Sequence, residues 1–93
     1  MSSANKNNYK AKLSRKASTY LSRVNSPFDQ RIINALRLLA INPKNDSQDI
    51  IPLEGRAGEY RLRVGKYRII FTIDDSDKTI NVATILPRGD VYK

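Results

Sequence analysis

The chain has 93 residues, a length that suits one small domain. Its 17 basic and 9 acidic residues give a net charge of +8. This charge favours a polyanionic partner, of which nucleic acid is the leading candidate, or an acidic protein. It contains no cysteine and no histidine, which excludes disulfides, thiolate nucleophiles, zinc–thiolate sites, imidazole catalysis and histidine-ligated metals. No apolar run approaches the ~20 residues of a membrane span, and no signal-peptide core is present, so we expect a cytoplasmic protein with no membrane association.

The N-terminal third predicts a strand followed by a helix. Residues 1–8 are polar and aperiodic, which predicts a disordered lead before a single domain over residues 9–93. Tyr9, Ala11 and Leu13 alternate with lysines, as in a short half-buried strand. Ser14 is placed to cap a helix whose apolar residues recur with helical spacing at Ala17, Tyr20, Leu21 and Val24.

A second helix is predicted to begin with Ser26 as its cap and Pro27 at its first helical position, with Asp29 in the first turn. Asn42–Pro43 end it. Its apolar stripe is Phe28, Ile32, Ala35, Leu36, Leu39 and Ala40. The short connection predicts an antiparallel helical hairpin. Residues 42–58 then read as a long loop, in which Ile50, Ile51 and Leu53 form an apolar island at the core edge.

Two alternating runs joined at Gly65–Lys66 predict a β-hairpin over Glu59–Phe71, because glycine accepts the positive φ of a two-residue turn. In this register Arg63 lies opposite Arg68 and Leu62 opposite Ile69. One face is then apolar, with Tyr60, Leu62, Val64, Tyr67, Ile69 and Phe71. We expect Leu62, Ile69 and Phe71 to be buried beneath Leu21, Leu36 and Leu39.

The other face of the hairpin carries Arg61, Arg63 and Arg68, and two interpretations are open. The first is an ordinary solvated face opposite a core. The second is a phosphate site, since opposed arginines destabilise a sheet by roughly 0.2–1 kcal/mol unless an anion lies between them, and arginine suits bidentate phosphate binding. Glu59, on the same face, is a candidate for that anion. We favour the phosphate site, with Lys66 at the turn as a further phosphate-binding candidate.

After an acidic turn at residues 74–78, a mostly apolar strand runs over residues 79–86 and ends at Pro87. Residues 88–93 form a short tail, in which the tripeptide Arg88–Gly89–Asp90 is interpreted as a chance match to an integrin ligand. The expected fold is α+β: an N-terminal strand, a two-helix antiparallel hairpin and a three-stranded meander. Together the strands give a four-stranded antiparallel sheet covered on one face by the helices.

The sequence resembles the RelE branch of the RelE/ParE toxin superfamily in its order of elements and in three motifs. These are Pro-Leu-Glu-Gly in the loop, Tyr-Arg-Leu-Arg-Val-Gly-Lys-Tyr-Arg in the hairpin and the closing Pro-Arg-Gly-Asp-Val-Tyr-Lys. The resemblance covers residues 9–93. It implies a RelE-like ribonuclease that needs no metal or other cofactor and cleaves mRNA in the ribosomal A site. It also implies that Arg61 and Arg63 match paired basic positions, Arg68 the arginine after the turn, Arg88 the arginine beyond the last strand and Tyr92 the C-terminal tyrosine.

Three positions depart from that pattern. Many relatives have lysine where this chain has Arg61 and Arg63, and guanidinium is a poorer proton carrier than ammonium. Some relatives have a glutamate, a candidate base, where this chain has Ile51. Relatives with a C-terminal helix have chain beyond the tyrosine, whereas this sequence stops at Lys93, so regulation by such a helix is not expected.

RNA cleavage by its own 2′-hydroxyl needs a proton acceptor, stabilisation of the phosphorane and a proton for the leaving 5′-oxygen. Tyr92 is the candidate proton-transfer group, or alternatively stacks on a base. The three hairpin arginines are expected to hold phosphates, with Arg61 and Arg68 at the reacting group, and Arg88 to stabilise developing charge. Glu54 and Glu59 are weaker candidates for the base.

Three function classes remain open at this stage. The first is a ribosome-dependent endoribonuclease toxin, monomeric on its own and neutralised by a cognate acidic antitoxin. The second is a ParE-like toxin that binds DNA gyrase without chemistry. The third is a non-catalytic basic module that binds RNA or the ribosome. Arg88 and Tyr92 favour the first over the second, because gyrase-directed relatives usually lack this set of residues.

Overall fold

Two helices and five strands make up residues 8–44 and 47–87, the part of the chain that the computed structural model describes. In chain order they are β1 (Lys10–Leu13), α1 (Arg15–Ser22), α2 (Phe28–Ile41), β2 (Asp49–Pro52), β3 (Glu59–Val64), β4 (Tyr67–Asp74) and β5 (Thr79–Pro87). The predicted α+β class is confirmed. The predicted disordered lead falls, apart from Asn8, outside the described residues. Neither helix is long and apolar enough to cross a membrane.

The strands form one mixed sheet in the order β1-β5-β4-β3-β2. The predicted meander of β3, β4 and β5 is confirmed, and its neighbouring strands pair antiparallel. The prediction of a four-stranded, fully antiparallel sheet is wrong on two counts. The described residues form five strands, and β1 pairs parallel to β5, with Lys10 opposite Thr79 and Leu13 opposite Val82. Alternation within a strand reports which side chains share a face but says nothing about the direction of its neighbour.

The additional strand, β2, lies inside the predicted long loop. It pairs antiparallel with β3, with Asp49 opposite Arg63 and Pro52 opposite Tyr60. A four-residue strand that ends in proline carries little strand signal, because proline cannot donate a ladder hydrogen bond and is found mainly on edge strands. β2 is such an edge strand.

The predicted cap of α1 is confirmed. The Ser14 hydroxyl accepts a hydrogen bond from the Ala17 backbone N–H at 3.0 Å. The same hydroxyl donates to the Ala83 carbonyl at 2.7 Å. One side chain therefore both begins the helix and fastens it to β5.

The start of α2 differs from the prediction by one residue. The helix begins at Phe28, and Pro27 is its N-cap with no side-chain cap bond, so the expected Ser26 cap is wrong. The Ser26 hydroxyl instead donates to Asp29 Oδ1 at 3.5 Å. Asp29 does lie in the first turn, where its carboxylate accepts from the Gln30 N–H at 2.7 Å. The helix ends before Asn42, as predicted.

The hairpin register is confirmed at every predicted pair, from Tyr60 opposite Phe71 to Val64 opposite Tyr67. Gly65 has a φ of 58°, the conformation that the tight turn requires. The apolar face of the sheet and the inner faces of both helices form one core. Its buried members are Ala17, Ile32, Ala35, Leu36, Leu39, Leu62, Ile69, Phe71, Ile80, Val82 and Ile85, with Leu21 partly buried against them.

A β-bulge explains why β5 is apolar almost throughout. The pairing shifts between Ile70, which lies opposite Thr84, and Phe71, which lies opposite Val82, so that Ala83 has no partner on β4. The extra residue switches the parity of the strand. Val82 and Ile85 therefore both reach the core, while Thr84 and Leu86 lie on the opposite face of the sheet.

Candidate functional site

The sheet face that the helices leave uncovered carries the three predicted arginines. Arg61 and Arg63 on β3 and Arg68 on β4 share this face because side chains alternate along each strand. We call it the arginine face. One cross-strand row runs Asp49, Arg63, Arg68, Leu86, and the next runs Ile51, Arg61, Ile70, Thr84.

A single carboxylate holds two of the arginines. Asp49 Oδ1 lies 2.9 Å from an Nη of Arg61, and Asp49 Oδ2 lies 2.8 Å from Nε of Arg63. The Arg61 side chain is only 13% exposed, against 40% for Asp49 and 49% for Arg63. Sequence reasoning missed Asp49 because it stood in a presumed loop. No local sequence signal identifies it, because its contact with the arginines depends on the pairing of the Asp-Ile-Ile-Pro segment with β3.

Glu59, the candidate for an anion between Arg63 and Arg68, does not lie beside that pair. Its carboxylate pairs with Arg56 at 3.2 Å, in the connection between β2 and β3. The register places Glu59 at the end of β3 away from the Arg63–Arg68 pair, since Glu59 opposes Thr72. Glu54 is exposed in the same β2–β3 connection. Both weaker candidates for the base therefore lie at the opposite end of the sheet from that pair.

Arg68 has no hydrogen-bond or ion-pair partner among the described residues. Its Nε is buried without an acceptor, and the same holds for Nε of Arg61 and Oγ1 of Thr84. These three groups surround Ile70, which is 3% exposed. Buried donors without acceptors are costly, so an anion or water bound here would stabilise them. Among the described residues, the three guanidinium groups have a single carboxylate partner, that of Asp49, so this end of the arginine face keeps an excess of positive charge.

Lys66, the other predicted phosphate-binding residue, is directed elsewhere. Its Nζ lies 5.1 Å from the centroid of the Phe28 ring, on the helix-covered side of the sheet. There it lines a cleft of about 330 Å³ together with Tyr20 and Tyr67. Lys66 therefore lies apart from the arginine face. Because Lys66 belongs to the turn, the alternation of side chains along β3 and β4 does not determine which face it lies on.

Arg88 and Tyr92, predicted to be catalytic, lie outside the described residues. The last described residue is Pro87, which pairs with Tyr67, and Leu86 pairs with Arg68. The described chain therefore ends at the same end of the sheet as the Arg63–Arg68 pair.

Taken together, the arginine face is chemically suited to binding phosphate. Its guanidinium groups offer planar pairs of N–H donors, and Arg68 has none of them engaged by a described residue. Asp49 is the carboxylate in contact with two of the arginines. The described residues contain no group of three or more carboxylates placed to hold a metal ion.

Residues 10–92 of the chain match the family model described as "ParE toxin of type II toxin-antitoxin system, parDE". The chain belongs to this toxin family. Solved structures of RelE proteins share the fold of this toxin, which places it among the RelE-like members of the RelE/ParE superfamily. No curated protein sequence matches the toxin significantly.

Three solved structures illustrate the likeness of this toxin to RelE proteins. The archaeal RelE–RelB complex from Pyrococcus horikoshii is 28% identical with a TM-score of 0.78, over 90% of this chain and 99% of that one. A RelBE toxin–antitoxin complex from Mycobacterium tuberculosis is 23% identical with a TM-score of 0.73, over 87% and 99%. The isolated Escherichia coli RelE toxin is 14% identical with a TM-score of 0.74, over 89% and 87%.

Proposed function

We propose that this toxin is a ribosome-dependent endoribonuclease that cleaves mRNA in the A site and so inhibits translation. The observation that carries the proposal is the arginine face, where Arg68 is unpaired among the described residues beside the Asp49-bound pair Arg61 and Arg63. Three guanidinium groups on the sheet face that the helices leave uncovered suit the closely spaced phosphates of a single RNA strand.

The reaction consistent with this face is attack of the RNA 2′-oxygen on the adjacent phosphorus. A 2′,3′-cyclic phosphate forms, the bond from phosphorus to the 5′-oxygen breaks, and one proton moves from the 2′-oxygen to a base while another reaches the 5′-oxygen. Arg61 and Arg68 hold the reacting phosphate, and Arg63 holds a flanking one. Guanidinium groups stabilise the phosphorane charge without transferring protons.

Proton transfer and leaving-group stabilisation are assigned to Tyr92 and Arg88, which follow the last residue of β5 in sequence. Pro87 and Leu86 end β5 beside Tyr67 and Arg68, which supports a tail that starts near the arginines. A guanidinium group close to a phenol favours the phenolate, so a tyrosine brought to the arginine face would become a better base.

The partner proposed for restraint of the toxin is an acidic antitoxin. A net charge of +8 suits an acidic segment, the M. tuberculosis structure is a toxin–antitoxin complex, and the P. horikoshii structure is a RelE–RelB complex. We expect the antitoxin to cover the arginine face or to displace residues of the active site. We also expect the affinity of the antitoxin for the toxin to fall as the salt concentration rises. A salt-independent complex that leaves Arg61 and Arg68 accessible would contradict this.

A second candidate function is inhibition of DNA gyrase through protein contacts. The observation in its favour is that the family model matched by residues 10–92 is the ParE model. A supercoiling assay with purified gyrase separates the two candidates, because a gyrase-directed toxin inhibits supercoiling and leaves A-site mRNA intact.

The deciding experiment is single-turnover cleavage of mRNA on programmed ribosomes with excess toxin. We expect cuts in phase with codons. Tyr92→Phe should slow cleavage by about 10²-fold or more while ribosome binding persists, because the ring remains and the hydroxyl is lost. Arg61→Ala should weaken both binding and turnover. Near-normal cleavage by Tyr92→Phe would leave stacking as the role of Tyr92, and absence of any cleavage by the wild-type toxin would overturn the proposed function.

A further inference from the structure

Asp49 is the carboxylate that pairs with two arginines of the arginine face, and we infer that it is a positioning residue that orients Arg61 and Arg63 and weakens the binding of RNA phosphate. The inference rests on the proposed function, since it assigns to Asp49 a part in the recognition of that RNA. It begins from one geometric fact: each carboxylate oxygen engages a different arginine, at 2.9 and 2.8 Å.

This arrangement restricts both guanidinium groups. Asp49 opposes Arg63 directly across the β2–β3 ladder, and Arg61 lies two residues along the same face. The Asp49 carboxylate contacts one Nη of Arg61, whose side chain is only 13% exposed and therefore has little room to move. A guanidinium group has five N–H donors, so each arginine retains donors for a phosphate while one bond to Asp49 limits its rotation.

The same carboxylate repels the substrate that the arginines attract. A phosphate bound at Arg68 lies one strand away from Arg63, which is itself in contact with Asp49. Charges several ångströms apart near a protein surface interact by enough to change affinity severalfold. Asp49 therefore lowers the affinity for RNA and at the same time orients the arginines that act on the phosphate.

Asp49→Asn separates these two effects, because asparagine is nearly isosteric with aspartate but uncharged. We expect the Kd for a short 2′-O-methyl RNA oligonucleotide, which cannot be cleaved, to fall by about threefold to tenfold at low salt. The slope of log Kd against log salt should steepen by about 0.7 for each additional phosphate that the arginine face neutralises. Single-turnover cleavage on ribosomes should slow by about tenfold or more, because the guanidinium groups are less well oriented.

The control variant is Asp77→Asn, which changes net charge equally. Asp77 is exposed in the β4–β5 turn, at the end of the sheet away from Arg68. The Asp77→Asn variant should keep the Kd for RNA, the slope of log Kd against log salt and the cleavage rate within about twofold of wild type. Asp49→Glu restores the charge and should return the Kd towards the wild-type value with partial recovery of the rate.

Two measurements keep the test independent of folding and of the proposed reaction. Thermal unfolding should shift by less than about 5 °C in Asp49→Asn, since asparagine still offers an acceptor of the same size and Asp49 is 40% exposed, which limits what its ion pairs contribute to stability. The Nε–H NMR signal of Arg63 should exchange faster with solvent in Asp49→Asn than in wild type, because its acceptor is weaker.

The possible outcomes are distinguishable. Tighter oligonucleotide binding together with slower cleavage supports the inference. Weaker or unchanged binding by Asp49→Asn overturns it, as does an unchanged cleavage rate. If wild type cleaves no mRNA on ribosomes while the binding difference is present, the proposed function fails and the effect of Asp49 on RNA affinity stands. Wild-type protein that shows no salt-dependent RNA binding would also overturn the inference.

Discussion

Replacing Arg68 by methionine should stabilise the fold while removing the proposed ribonuclease activity. Methionine keeps an unbranched side chain of similar length and removes the charge. In the structure Arg68 lies directly opposite Arg63, and its Nε is buried without an acceptor among the described residues. Both features oppose folding, so their removal should raise the free energy of unfolding.

The size of the stabilisation follows from these two features. Like charges directly opposite each other in a sheet cost roughly 0.2–1 kcal/mol, and a buried donor without a partner costs about 1–3 kcal/mol. The lost packing of the arginine stem and partial hydration of the guanidinium group offset part of this. We expect a net stabilisation of about 1 kcal/mol, which raises the Tm by about 4–8 °C for a domain of this size.

The assay is thermal unfolding followed by circular dichroism, with Arg63→Met as the matched variant. Arg63→Met also removes the opposed charge pair but loses the bond to Asp49, so its Tm should change little. In about 1 M salt the charge part of the Arg68→Met stabilisation should disappear and the buried-donor part should remain. A lower Tm for Arg68→Met than for wild type would show that this arginine is structural and would refute the reasoning.

Three further predictions concern the fold. Leu62→Ala should destabilise the protein by about 2–5 kcal/mol, measured by urea unfolding, because Leu62 is 0% exposed in the core. Ser14→Ala should cost about 1 kcal/mol in the same assay and Ser14→Thr less, because the hydroxyl caps α1 and bonds to the Ala83 carbonyl. A hydrogen bond to Asp75 at 2.6 Å raises the pKa of Tyr9. Its contribution to stability should be complete below about pH 10, the ordinary tyrosine pKa, and lost as pH rises through the raised value. The difference between ultraviolet titrations of wild type and Tyr9→Phe should show that midpoint above 10.

Elements that depend on neighbouring residues could be predicted from the sequence. The β3–β4 hairpin follows from a two-residue alternation and a glycine that accepts positive φ, and its register was confirmed at every pair. The start of α1 follows from Ser14, whose hydroxyl reaches an N–H three residues along the chain. These features are visible in sequence because the atoms involved are close in the chain. The three arginines were assigned to one face for the same reason.

How distant segments meet became visible only in the folded domain. Asp49 lies opposite Arg63, which is fourteen residues further along the chain. Lys10 lies opposite Thr79 in a parallel strand pair that no local sequence pattern predicts. The bulge at Ala83 reversed the faces of β5 and brought Thr84 and Leu86 beside the arginines. The physical reason is that pairing between strands depends on backbone hydrogen bonds available to any residue, so partner, direction and register are selected by the packing of the whole domain. The positive charge of the arginine face could thus be predicted from the sequence, whereas the carboxylate that contacts two of its arginines could be identified only in the folded sheet.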